Sequence, residues 1–241
     1  MRTLASLLTS TLATVLVASS AQAEAAVPRP FSATYAVSFR GIGAGTITFD
    51  FARDAATGRY IYETHASPTA LARLFVSKAA LERSVMEIDD SGTRPIEWQL
   101  DDGKSGKEDD GELHFDWSHN RVTGIVEGKP VELTAEPGTQ DRSSISIAVT
   151  TALLRGVEPG TIPLIDDNRI KRYVYTKKES ATVDSALGKV DTVLYESTRE
   201  GSSRTSRFWM APSLEFLPVR AEQVRKGKVE TVMVLQKVEH H

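Results

Sequence analysis

The chain has 241 residues, with 29 Lys and Arg against 32 Asp and Glu, a net charge of −3, and no cysteine. The missing thiols exclude disulfides, thiolate catalysis and a lipidated-cysteine anchor. The interspersed, nearly balanced charge argues against the basic stripe that nucleic-acid binding needs, so no nucleic-acid partner is expected.

Met1 and Arg2, the apolar run from Leu4 to Val17, and Ala21-Gln22-Ala23 read as an export signal cut after Ala23. The run is too short and too rich in Ser and Thr for a membrane span, which needs about twenty apolar residues. The protein is therefore expected to be released, not membrane-spanning. This divides the chain into a signal peptide at 1–23, a flexible lead-in at 24–30 and a single β-rich domain at 31–239.

Period-two alternation begins at Phe31, Ala33, Tyr35, Val37 and Phe39 and resumes, after Gly41-Ile42-Gly43, with Ile47, Phe49 and Phe51: a hairpin. Gly41, Gly43 and Gly45 miss the G-x-G-x-x-G spacing and precede a strand, so a bend or bulge is the better reading. Arg59 to Ala66 is a third strand, and Thr69 to Phe75 suits two helical turns. Lys78 to Asp89 and Arg94 to Asp102 are long strands whose Glu82, Arg83, Glu87 and Glu97 are too polar for a lipid-exposed barrel wall.

Asp101 to Gly111 is an acidic, glycine-rich loop with Asp101, Asp102, Glu108, Asp109 and Asp110. It lacks calcium-loop spacing and contains Lys104 and Lys107, so a solvated tip explains it and no metal is assigned. Leu113 to Trp117, Arg121 to Glu127 and Lys129 to Thr134 are short strands. His114, Asp116 and His119 form the best acid–base or metal candidate, but no third ligand of the right kind lies nearby.

The stretch from Glu136 to Gly160 predicts the one full helix. Pro137-Gly138 turns the chain, Asp141 can cap the first turn, and Gly156, then Pro159-Gly160, ends it. Ile145, Ala148, Val149, Ala152 and Leu153 share an apolar arc, with Ile147 and Leu154 almost opposite. A helix apolar on two sides is expected to be covered on two sides, as a core plug or one wall of a ligand groove. Ser143 and Ser144 stand at its start, where a helix N-terminus favours an oxyanion, but capping explains them better.

Strands follow at Thr161 to Ile165, Arg169 to Ser180, Ala181 to Ala186, Lys189 to Glu200, Arg204 to Met210, Leu217 to Arg225 and Lys228 to Val238. The basic run Arg225-Lys226-Gly227-Lys228 reads as a solvated hairpin tip. Val232 and Val234 alternate with Met233 and Leu235, so both faces of the last strand are apolar, as in a covered central strand. About twelve antiparallel strands cannot lie in one flat sheet. The expected fold is mainly β: a strongly curved antiparallel sheet of roughly 11–13 strands, a half-barrel or spiral barrel, with the helix packed in or across it.

Phe31-x-Ala33-x-Tyr35 followed by Gly41, Phe115-Asp116-Trp117, Gln140-Asp141, Trp209-x-Ala211-Pro212 and Pro218 together resemble the exported bacterial domain-of-unknown-function family 3108. That resemblance implies a periplasmic β-rich domain of a Gram-negative bacterium with no catalytic residues to carry over. It also implies a remote similarity to curved-sheet periplasmic lipoprotein and lipid carriers and envelope-integrity proteins. The functional expectation is a non-enzymatic protein without cofactors that binds a lipid, acyl chain or other envelope amphiphile. The alternative is an envelope scaffold that engages a protein partner and has no cavity. A hydrolase is disfavoured, since G-x-S-x-G, H-E-x-x-H and any triad are absent.

Overall fold

The computed structural model describes residues 26–74, 80–103 and 110–241. The export signal and its cut at Ala23 lie outside the described residues, as do Glu108 and Asp109 of the acidic loop.

The strands are β1 (Phe31–Phe39), β2 (Ile42–Arg53), β3 (Tyr60–Pro68), β4 (Leu81–Asp89), β5 (Gly92–Asp101), β6 (Gly111–Asp116), β7 (Arg121–Val126) and β8 (Lys129–Thr134). After the helix α1 (Ser144–Leu154) come β9 (Thr161–Asp166), β10 (Arg169–Ser185), β11 (Gly188–Arg199), β12 (Arg204–Ala211), β13 (Leu217–Arg225) and β14 (Lys228–His240). All fourteen form one antiparallel sheet in the order 8-7-6-5-4-3-2-1-14-13-12-11-10-9. The count corrects the expected 11–13. Each two-residue turn delimits its own strand, and β6 to β9 are only six residues long. The stretches expected at Arg169 to Ser180 and Ala181 to Ala186 are one strand, whose irregularity between Lys177 and Ser180 bends it without ending it. Of the helical segment expected at Thr69 to Phe75, the described part holds a single 3-10 turn at Ala72–Leu74, and Phe75 lies outside the described residues.

Every neighbour in the sheet is also a neighbour in sequence, except that β1 pairs β14 and joins the two halves. Such a meander sorts its connections. The β1–β2, β3–β4, β5–β6, β7–β8, β9–β10, β11–β12 and β13–β14 turns share one end, here the rim. The other turns, the described N-terminal residues and the C-terminus share the base. Three rim turns place a non-glycine and a glycine in left-handed conformation: Arg40-Gly41, Glu127-Gly128 and Lys226-Gly227. This geometry matches strand twist in two-residue hairpins. Gly45 and Gly124 serve a different need. A Cβ at Gly124 would collide with the Glu112 carbonyl, and one at Gly45 with that of Ser67, so these strands approach more closely than any side chain permits.

The sheet curls until its edges, β8 and β9, stand near each other without pairing. The chain between β8 and α1 fills the seam: Gln140 N–H donates to Pro163 O at 2.8 Å and Ile165 N–H donates to Gln140 O at 2.9 Å. Arg142 reaches Glu127 at 3.1 Å and Asp166 and Asp167 at 3.6 Å, tying the turns on the two sides of the seam. Arg172 joins Glu136 nearer the base.

Inside the curl, α1 is embraced. Ile145, Val149 and Leu153 pack with Ile162, Leu164, Tyr195 and Met210, while Ile147 enters the cluster of Phe31, Tyr35, Phe51, Tyr62, Met86 and Leu217. Ala148, Ala152 and Leu154 are half-buried. The helix closes in a Schellman arrangement. Gly156 is left-handed, its N–H donates to Leu153 O at 3.0 Å, and Val157 N–H donates to Ala152 O at 2.9 Å. The β10–β11 hairpin folds against the base cluster through Val183 and Val190. The last strand is central, as its two apolar faces suggested, but its outer residues Val232 and Val234 are half-exposed.

Candidate functional site

Between α1 and the sheet lies a cleft of about 190 Å3. Its first wall is aromatic, from β1 to β3: Phe49 stacks on Tyr62 at 5.7 Å, and Tyr35 meets Phe49 edge-on at 5.6 Å. Its second wall, on β10 and β12, carries Tyr175 stacked on Phe208 at 6.3 Å. Met233 and Ala221 lie on the sheet between them, and Ser146, Ile147 and Thr150 form the helical side. The strand register puts these residues together: Tyr195 opposes Phe208, Phe208 opposes Ala221 and Ala221 opposes Met233, so one inward row crosses four strands.

The cleft offers little to titrate. Burial pushes the Tyr175 phenol up to about 12 and the Tyr35 phenol further, so both stay neutral hydroxyls. Tyr35 Oη–H donates to Pro218 O at 2.9 Å. What the cleft can do chemically is exclude water from apolar surface.

At the start of α1 the fully buried Asp141 organises the chain. Its Oδ1 accepts from Ser143 N–H at 2.8 Å and Ser144 N–H at 2.7 Å, and its Oδ2 accepts from the Ser84 hydroxyl at 2.6 Å. Burial raises its carboxyl to about 6, against the lowering effect of those three donors. Ser143 and Ser144 are buried, and the Ser144 hydroxyl accepts from Asp141 N–H at 3.0 Å. Asp141, as expected, caps the first turn and the Ser144 hydroxyl reciprocates, whereas the Ser143 side chain makes no capping hydrogen bond. Gln140 Nε2 donates to Thr93 O at 2.8 Å.

Of the five helical residues singled out in the sequence, Val149 lines the cleft, whereas Ile145 and Leu153 plug the core beside β9 to β12. Ile147, on the opposite arc, also lines the cleft. Among the other motif residues, Phe31 and Tyr35 face the interior beside Pro218, and Gly41 forms the β1–β2 tip with φ +82°. Trp117 stacks on Phe115 and donates to Pro95 O at 2.7 Å. Trp209 lies under the Arg220 guanidinium, and Pro212 opens a 3-10 turn. Asp116 closes the β6–β7 turn, accepting from Ser118 and from His119 Nδ1 at 2.7 Å, and those contacts hold its carboxyl at about 2. His114 is exposed on β6 and does not join them. Asp101, Asp102 and Asp110 bring carboxylate oxygens within 4.8 Å of one another at the rim, away from the cleft.

Phe208, Ala221 and Met233 were not marked in the sequence as site residues. Their alternation was visible, but their convergence depends on a register across β11 to β14 that alternation alone does not specify.

A curled, unclosed β-sheet wrapped round a helix, with an apolar cleft between them, defines a β-barrel-like protein. The chain belongs to the family described as protein of unknown function (DUF3108), which matches residues 34–234. No curated protein matches the chain. Among solved structures it is similar to the β-barrel-like protein of domain of unknown function DUF1849 from Brucella abortus. That match has 12% identity, covers 89% of this chain and 99% of that one, and has a TM-score of 0.53, which establishes the shared fold. A weaker similarity, TM-score 0.40 at 10% identity, links 88% of this chain to 51% of a chain in the MucA/MucB complex of Pseudomonas aeruginosa. Among the described residues no helix is long and apolar enough to cross a membrane.

Proposed function

We propose that this is a non-enzymatic periplasmic protein that holds the apolar end of an envelope amphiphile, an acyl chain or similar lipid tail, in the cleft between α1 and the sheet. The observation that carries this reading is the cleft itself: about 190 Å3 lined by Phe49, Tyr62, Phe208, Met233 and Ile147. Cavities of roughly 150 Å3 with apolar walls stay dry and take up benzene, so the space suits one ring or a short run of methylenes. The rest of such a ligand would extend past Ser146, an exposed residue at the cleft's edge. Catalysis draws no support from the site, because Ser143 and Ser144 are buried beside Asp141 and the paired histidine, His119, sits on an exposed turn.

Native mass spectrometry of protein purified from the periplasm tests for a resident amphiphile, and calorimetric titration with decanoate tests the cleft directly. Saturable binding with a negative heat-capacity change is expected. Ala221→Trp, which fills the cleft, and Ser146→Trp, which blocks its edge from an exposed position, should each weaken it at least roughly tenfold, a loss of about 1.4 kcal/mol. Empty protein together with unaltered titrations in both variants would overturn the proposal in favour of a scaffold without a ligand.

A further inference from the structure

The interior is not filled evenly. Along the inward row of β1, Phe31 and Tyr35 are 2% and 3% exposed, Val37 is half-buried and Phe39, at the rim, is 48% exposed. On β14 exposure rises the same way: Leu235 is buried, Met233 and Thr231 are half-buried, and Val229, past the register shift near the tip, is 42% exposed. Eight large apolar residues are exposed among the described residues, and four of them, Phe39, Ile42, Leu71 and Val229, belong to the β1–β2, β3–β4 and β13–β14 connections of this one end. Single exposed apolar residues need no explanation, whereas four gathered at one end do.

Charge on the rim differs from side to side. The β5–β6, β7–β8 and β9–β10 turns are mixed: Asp101, Asp102, Asp110, Glu127, Asp166 and Asp167 stand there with Lys129 and Arg169, and Arg142 and Lys171 pair with Glu127, Asp166 and Asp167. Across the opening, the β1–β2, β11–β12 and β13–β14 tips carry the cations. Arg40, Arg225, Lys226 and Lys228 surround a shallow depression with Val229 and Glu230. Arg204 stands opposite Arg225 in the β12–β13 register. Lys226 N–H donates to Ser203 O at 3.0 Å, and Arg40 N–H donates to Glu230 O at 2.6 Å, which locks the three tips together. Glu230 is bonded to Arg40 at 2.8 Å, and Glu200 is the second carboxylate on these tips, so five cations stand against two acids.

We propose that this basic and apolar side of the rim docks on an anionic phospholipid surface. Phe39, Ile42 and Val229 would enter the interface while Arg40, Arg225, Lys226 and Lys228 contact the headgroups. The interleaving of bulky apolar tips with cations on neighbouring turns is what an interfacial anchor requires. A nucleic acid would instead call for aromatic platforms along a basic groove. The mixed turns across the opening would add no such attraction, so the molecule would dock by its basic edge, with the mouth of its interior beside the lipid. The inference stands whether or not the cleft holds a ligand.

The test is flotation of protein purified after export, with vesicles of phosphatidylcholine alone or with one-third phosphatidylglycerol. Binding should require the anionic lipid and fall steeply with added salt. The triple variant Arg225→Gln, Lys226→Asn, Lys228→Gln should bind roughly a hundredfold more weakly, the effect of three cations removed from a lipid surface. A control that removes the same charge at the base and outer strands, Arg121→Gln, Lys189→Gln, Lys237→Gln, should bind like the parent. Phe39→Ser with Ile42→Ser should also weaken binding while keeping the parent's far-ultraviolet spectrum. Ala221→Trp, which tests the cleft, should leave flotation unchanged. Equal binding to neutral vesicles, equal loss in the control, or tighter binding to single-stranded DNA than to anionic vesicles would each overturn the proposal.

Discussion

The two ends of this sheet are built from the same strands and follow opposite rules. At the base, Phe31 and Phe51 pack 5.7 Å apart with Met86 and Leu217, and the β10–β11 hairpin adds Val183 and Val190 below them. Towards the rim, the inward rows of the same strands pass through half-buried Val37, Ile47 and Thr231, and no element among the described residues is laid over them. The difference follows from where the helix runs. Its first turn is held at Asp141 beside Ser84 in mid-strand, and Arg155, the residue that follows its last turn, donates to Asp89 O at 2.8 Å where β4 ends. The helix therefore occupies the lower half of the curl, and among the described residues no second helix fills the upper half. A sheet that closes with more than about eight strands leaves more room than its own side chains fill, and one short helix occupies only part of it.

The sharpest way to break the comparison is at the base of β1. Phe31→Ala removes a fully buried ring that touches Phe51 and Tyr62. It should destabilise the protein by about 3–5 kcal/mol, read from urea unfolding. A loss below about 1 kcal/mol would mean that the base is as loosely packed as the rim.

Asp141 comes next. Asp141→Ala would leave two buried amides and the Ser84 hydroxyl without their acceptor and should cost about 2–3 kcal/mol. The parent should show a particular pH dependence. With the folded carboxyl raised to about 6, above its unfolded value, the native state binds the extra proton between those two values. Stability from this group is therefore full at acid pH and is lost as pH rises through 6, by up to roughly 3 kcal/mol for a two-unit shift. Asp141→Asn retains an oxygen for the amides and cannot ionise. Subtracting its pH profile from the parent's isolates the effect, and identical profiles would show that the Asp141 carboxyl is not perturbed.

The curl, the helix and its plugging role were legible because each depends on local pattern: alternation in β1 and β2, a capping Asp141, a terminating Gly156. The arc of Ile145, Val149 and Leu153 likewise predicted a buried face. The cleft was less legible. Ile147 and Leu154 could be marked as apolar on the other side, but the cleft neighbours of Ile147, Phe208, Ala221 and Met233, come from β12 to β14, more than fifty residues away, and the β1–β14 pairing brings that half of the chain round to Tyr35 and Phe49. The basic tip at Arg225 to Lys228 read as solvated because Arg40 and Phe39 are remote in sequence. Their juxtaposition is a consequence of the same β1–β14 pairing, which no local signal encodes.

The smallest expected effect is the other half of the β1 comparison. Phe39→Ala removes the same side chain from the same strand and the same face, eight positions along. Its ring is half-exposed at the rim, opposite Thr231 and Ile42, with the Arg40 guanidinium 5.0 Å above it. Exposed cation–ring pairs contribute about 0.5–1 kcal/mol, and the area removed from water is small, so a loss of no more than about 1 kcal/mol with an unchanged urea slope is expected. Phe31→Ala measured beside it holds residue type, strand and face constant, leaving position as the only variable. If Phe39→Ala cost as much as Phe31→Ala, the rim would be a packed core closed over the interior, and neither an open cleft nor a docking edge could stand on it.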